Sequence, residues 1–95
     1  MFARVSTYRT GPETVVDHTE ETVARVLAIP GCRGVYFLTS LEEGKALSVT
    51  LWETTYALAA SREAASAVRA DSSAEQAMQI IDVEEFEVAN SGLAG

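Results

Sequence analysis

Ninety-five residues with seven Lys and Arg against fourteen Asp and Glu, a formal net charge of −7, allow one core that buries roughly two-thirds of the unfolded surface and leave no room for a second. That balance offers no basic stripe for phosphates, which excludes nucleic acid and anionic membranes as partners. Cys32 is alone, so there is no internal disulfide and no Cys/His zinc spacing; apolar runs are short and Arg4 and Arg9 interrupt the first of them, so a soluble cytoplasmic protein without a signal peptide or membrane span is expected.

In chain order, residues 2–8 alternate as a strand, with Ala3, Val5 and Thr7 on one side and Arg4, Ser6 and Tyr8 on the other. Thr10-Gly11-Pro12-Glu13 reads as a helix start and Pro30-Gly31 as its end, with Val15, Val16, Thr19, Val23, Val26 and Leu27 on one arc. Residues 35–41 and 46–53 are two strands joined by the hairpin signal Glu42-Glu43-Gly44-Lys45. Thr54 or Thr55 caps a second, alanine-rich helix that runs to about Ala70, where Asp71-Ser72-Ser73 breaks it and Ser73 with Gln76 caps a short extra turn. Residues 79–89 form the last strand, in which Ile81 and Val83 share one parity and Phe86 and Val88 the other, so a bulge near Glu84 or a change of sheet is expected. One domain spans residues 1–90, and 91–95 read as a flexible tail.

Strand, helix, strand, strand, helix, strand is the split βαβ order of an α+β, ferredoxin-like fold (βαββαβ), with a four-stranded antiparallel sheet and two helices on one face. If Val5, Val49 and Leu51 meet the helices, Ser6, Tyr8, Ser48, Thr50 and Trp52 lie on the opposite face, with Tyr36 and Leu38 beside them. So much exposed aromatic surface calls for a second copy, and two sheets facing each other make a dimeric α/β barrel. The alternative is that Trp52 packs beneath its own helices.

The chain resembles the antibiotic biosynthesis monooxygenase-like family of the dimeric α/β-barrel superfamily. The resemblance covers nearly the whole sequence and is carried by Arg4-Val5-Ser6-Thr7-Tyr8, by the turn Ile29-Pro30-Gly31-Cys32-Arg33-Gly34-Val35-Tyr36, by Gly44-Lys45 and by Leu51-Trp52-Glu53-Thr54. It implies a homodimer formed through the sheets and last strands, and cofactor-independent mono-oxygenation of a small aromatic or polyphenolic compound in a cavity of each subunit. Trp52 matches the cavity tryptophan of the quinone-forming members, but Ser48 stands where they have Asn and Leu58 where they have a catalytic Tyr, Tyr56 being two positions away. In the haem-degrading branch the matching positions hold Ala70 and Ser6, so neither haem nor any other cofactor is expected.

Such chemistry needs a dry cavity, orientation and a proton acceptor. His18 is the only group whose ordinary pKa lies near neutrality; Tyr8 is placed to donate to a phenolate and Trp52 to stack on the ring. These three are the candidate catalytic residues, and Ser6, Thr19, Thr22, Tyr36, Leu38, Ser48, Thr50 and Tyr56 the candidate substrate contacts. For His18 the competing reading is a solvated helix histidine, and for the aromatics a dimer interface. Cys32 reads as a structural turn residue, and Asp82, Glu84, Glu85 and Glu87 as a solvated edge with no metal, since alternation splits them over two faces. The rival function is a non-catalytic homodimer of the same fold that binds a small ligand or serves as an interaction module.

Overall fold

The computed structural model describes residues 1–16 and 20–94. Strands β1 (Phe2–Arg9), β2 (Cys32–Ser40), β3 (Lys45–Trp52) and β4 (Gln79–Glu87) form one antiparallel sheet in the order β2-β3-β1-β4. Helix α1 (Glu20–Leu27) follows β1, while α2 (Thr55–Ala60) and α3 (Arg62–Glu75) lie between β3 and β4. The architecture is α+β and compatible with the ferredoxin-like arrangement expected from the order of elements. None of the described helices is long and apolar enough to cross a membrane.

Strand pairing sets Arg4 opposite Thr50, Ser6 opposite Ser48 and Phe2 opposite Trp52, and places Phe37 beside Ser48 on β2. The helices cover this face. Trp52 is fully buried, and Arg4, Ser6, Tyr8 and Ser48 are buried with it. The expected sidedness is therefore reversed: Trp52 packs beneath its own helices, and Val5, Leu47, Val49 and Leu51 occupy the uncovered face. Alternation decides which residues travel together but not which set meets the helices. What decides it here is bonding, because α2 offers the Leu58 carbonyl, and Ser61 just after it a hydroxyl, to the Arg4 guanidinium, a group that is buried only when paired.

The first helix is shorter than its periodicity predicts. Val15 and Val16 lie ahead of α1 and are exposed, while Thr22 and Val26 supply the buried positions. The second helix is interrupted at Ser61 and then continues past the expected break at 71–73 to Glu75. Thr54 caps α2 by accepting the Ala57 amide at 3.0 Å, and Gly31, at φ +84, sits so close beneath α2 that a Cβ there would overlap the Cβ of Ala57. The bulge in β4 falls at Ile81, which is skipped between the pairs Thr7–Asp82 and Tyr8–Ile80, three residues before Glu84.

Helix α3 ends in a Schellman motif: the Met78 amide donates to the Ser73 carbonyl at 2.9 Å and the Ala77 amide to the Ala74 carbonyl at 3.3 Å. This geometry needs a left-handed residue, and Ala77 supplies it at φ +55. Glycine reaches that conformation without the steric cost of a Cβ. Ala77→Gly is expected to raise stability by about 1 kcal/mol, read from urea unfolding midpoints at constant slope.

Candidate functional site

Between the inner sheet face and the helices lies a cavity of about 30 Å³, room for roughly two waters and far below the few hundred Å³ of a typical ligand pocket. Trp52 forms one wall, and its indole N–H donates to the Thr50 hydroxyl at 2.9 Å, which lets the ring be buried without leaving a donor unsatisfied. From α1, Thr22 and Val26 reach the cavity, and α3 presents Ala65, Val68, Arg69 and Ser72 at helical spacing.

Two polar pairs edge this cavity. The Tyr8 hydroxyl and Ser48 Oγ are hydrogen-bonded at 2.9 Å, either able to donate. Beside them Arg69 Nε donates to Ser6 Oγ at 3.0 Å. Burial pulls the Arg69 pKa below its ordinary value and the like charge of Arg4 adds to this, while the Tyr8 oxygen opposes it. The result is a guanidinium and a phenol aimed at the same small space, with an indole facing them.

Behind Trp52 lies a second network. The Arg4 guanidinium sits 5.3 Å from the Trp52 ring centroid, a cation–π distance. Its Nε and Nη2 donate to Glu85 Oε2 at 3.1 and 2.8 Å, Nη1 donates to Ser61 Oγ at 3.1 Å and Nη2 to the Leu58 carbonyl at 2.8 Å. Arg62 grips the same carboxylate from outside, Nη2 to Oε1 at 2.7 Å and Nε to Oε2 at 3.2 Å. Hydrogen bonds from Arg62, and then from Arg4, hold the Glu85 pKa down at about 2 against the opposing effect of burial.

The structure gathers Ser6, Tyr8, Thr22, Ser48, Thr50 and Trp52 around one cavity. It separates the others. Tyr36 and Leu38 lie on the open sheet face, 51 and 46 % exposed, and Tyr56 stands 81 % exposed on the outer side of α2. Parity explains the first two, since Tyr36 pairs with Val49 and Leu38 with Leu47; Tyr56 lies one position before the buried pair Ala57 and Leu58. His18 and Thr19 lie outside the described residues. Burial pushes the Cys32 thiol pKa up, and the thiol donates to the Gly34 carbonyl at the start of β2, surroundings that do not favour a reactive thiolate.

Arg4, Arg62, Arg69 and Glu85 are not among the candidate site residues that the sequence offers. A signal existed: Arg4 shares parity with Ser6 and Tyr8, and Arg62 and Arg69 are seven residues apart, on one helical face. Glu85, expected at a solvated edge, is instead the carboxylate that neutralises a buried arginine.

Fold and site together define a two-layer α+β protein with a small, polar-edged cavity between its layers. No protein-family model matches the chain, and no curated protein matches it either.

The Glu85 pKa is depressed on folding, so its contribution is fully present above the ordinary value of 4.5 and is lost as pH falls toward about 2. Glu85→Gln removes it. Because the side chain is 26 % exposed, solvent screening keeps the loss at neutral pH on the order of 1 kcal/mol, below the cost of breaking a fully buried pair. Urea titrations at a series of pH values should show the variant less stable at pH 7 and less acid-sensitive between pH 4.5 and about 2.

Proposed function

We propose that the chain is a homodimer joined through the open faces of its sheets, and that the inner cavity of each subunit carries out cofactor-independent mono-oxygenation of a small electron-rich phenol. The resemblance to the antibiotic biosynthesis monooxygenase-like family leads to this reading. The single observation that carries it is the convergence of Arg69–Ser6 and Tyr8–Ser48 on a space walled by Trp52. In this reading the helices move apart to admit a ring larger than the resting cavity of about 30 Å³; a cation and a hydroxyl there then favour the phenolate over the phenol, the aromatic wall stacks on its ring, and exclusion of water strengthens both effects. The phenolate is the reductant: it passes electrons to dioxygen, one oxygen atom ends in the quinone, and the other leaves as water with two substrate hydrogens.

The dimer is supported by the uncovered face. Val5, Leu47, Val49 and Leu51 lie on adjoining central strands, and Tyr36, Leu38 and Phe86 flank them, the last three about half exposed. A contiguous apolar surface of this kind is rare on a monomer. A second copy related by a two-fold axis would cover it with an identical surface.

The volume of about 30 Å³ favours a second reading, a non-catalytic dimeric module in which the cavity residues only consolidate the core. Oxygen uptake over a panel of hydroquinones and naphthols separates the two. Turnover above autoxidation with at least one substrate, falling about 100-fold in Tyr8→Phe, is expected for the enzyme; a folded protein without uptake across the panel leaves the second reading. Light scattering at micromolar concentration should give the mass of two chains for the wild type and of one chain for Val49→Lys. A wild-type monomer would remove the dimer from both readings.

A further inference from the structure

Of the chain's seven Lys and Arg, three line one open cleft of about 340 Å³ between β4 and α3: Arg4, Arg62 and Arg69, with Glu85 as the carboxylate and Val83 as an apolar wall. In a protein of net charge −7 this is a local excess of two positive charges. Such a concentration of like charge raises the free energy of the folded chain and attracts anions.

The three arginines are engaged to different degrees. Arg4 has its Nε, Nη1 and Nη2 all donating, to Glu85, Ser61 and the Leu58 carbonyl. Arg62 holds Glu85 through Nε and Nη2 and is 62 % exposed, on the outer side of the cleft. Arg69 is half-buried, gives its Nε–H to Ser6, and among the described residues forms no ion pair with a carboxylate. Burial costs this guanidinium hydration, and the Tyr8 hydroxyl and the charge of Glu85 offset only part of that cost, so an anion at its terminal nitrogens would complete the balance.

We propose that this cleft binds the carboxylate of a small organic acid, gripped by the terminal nitrogens of Arg69, with Arg62 contributing from the outer side and the apolar part of the ligand against Val83. The geometry of the donors selects the anion. A single guanidinium edge matches a planar carboxylate through two parallel hydrogen bonds, whereas a tetrahedral phosphate needs donors from several directions, and Arg4 has spent most of its own. The cleft shares Arg4 and Arg69 with the inner cavity, but Arg62 and Val83 line the cleft and not the cavity, and binding there requires no oxidation.

The test is a titration of the full chain with benzoate, hexanoate and inorganic phosphate at constant ionic strength. Binding is followed by calorimetry and by the fluorescence of Trp52, the only tryptophan, which the cleft residue Arg4 contacts. Both carboxylates should saturate with dissociation constants on the order of 1 mM or tighter, and phosphate should bind more weakly. Arg69→Met should weaken benzoate binding about tenfold or more, Arg69→Lys should weaken it less by keeping charge without the fork, and Glu85→Gln should tighten it several-fold by removing the competing carboxylate. Arg25→Gln, in an exposed pair with Asp71 that does not line the cleft, should change nothing. Circular dichroism establishes which variants are folded, and if Arg69→Met is not, Arg69→Lys decides. No saturation of the wild type by about 10 mM, wild-type affinity in a folded Arg69 variant, or phosphate binding tighter than both carboxylates would each overturn the assignment.

Discussion

The burial of the Arg4 guanidinium is the constraint around which the rest of this small fold is arranged. An ion taken out of water carries a desolvation cost of several kcal/mol unless its donors are met and its charge is balanced. Each partner that meets this demand comes from a different element: Glu85 from edge strand β4, Ser61 and the Leu58 carbonyl from the junction of α2 and α3, and the Trp52 ring from β3. One side chain on β1 thereby fixes which sheet face the helices cover, where the second helix is interrupted and how the last strand is charged. Ser61 shows the economy of the arrangement, since its hydroxyl donates to the Leu58 carbonyl at 2.8 Å while accepting from Arg4.

With the polar and aromatic parity turned inward, the two faces of the sheet have separate characters. Inward, hydroxyls, arginines and one indole bound a narrow space; outward, aliphatic side chains stand on the two central strands with little above them. Ordinary two-layer proteins bury their most aliphatic face beneath the helices. The inversion here makes sense if the aliphatic face is reserved for another sheet and the inner face for polar recognition, the division on which the proposed dimer and its cavities rest.

Much of this was legible in the sequence. The order of elements, the hairpin between β2 and β3, the Thr54 cap and the grouping of Ser6, Tyr8, Ser48, Thr50 and Trp52 all follow from local chemistry and alternation, because each is decided by neighbours in the chain. What escaped was decided by partners far away. Arg4 and Glu85 are eighty-one positions apart, and no period of two or 3.6 connects them. The end of α3 escaped for another reason: an alanine stands where the turn geometry favours glycine, and Asp71-Ser72-Ser73, which looks like a break, is carried through as helix, with Ser73 buried and its hydroxyl satisfied by the Ala70 carbonyl at 3.2 Å. Tyr36 and Leu38 fall on the face opposite Trp52 because the hairpin turn pairs Ser40 with Lys45 and so sets Leu38 against Leu47 and Tyr36 against Val49, a register that alternation within one strand does not reveal.

The bulge at Ile81 gives the chain a tolerance that a regular strand would lack. From Asp82 onward β4 is locked to β1 by pairs that include Glu85 with Arg4, while Ile80 and Gln79 are paired in a register offset by one residue. The extra residue acts as slack between the end of α3 and the charge pair. A residue gained or lost in the connection after Glu75 can be taken up at this point, by forming, removing or moving the bulge, without turning Glu85 to the open face. The segment ahead of the bulge is therefore the part of the chain where length is freest to drift, and the six residues after it the part where length is fixed.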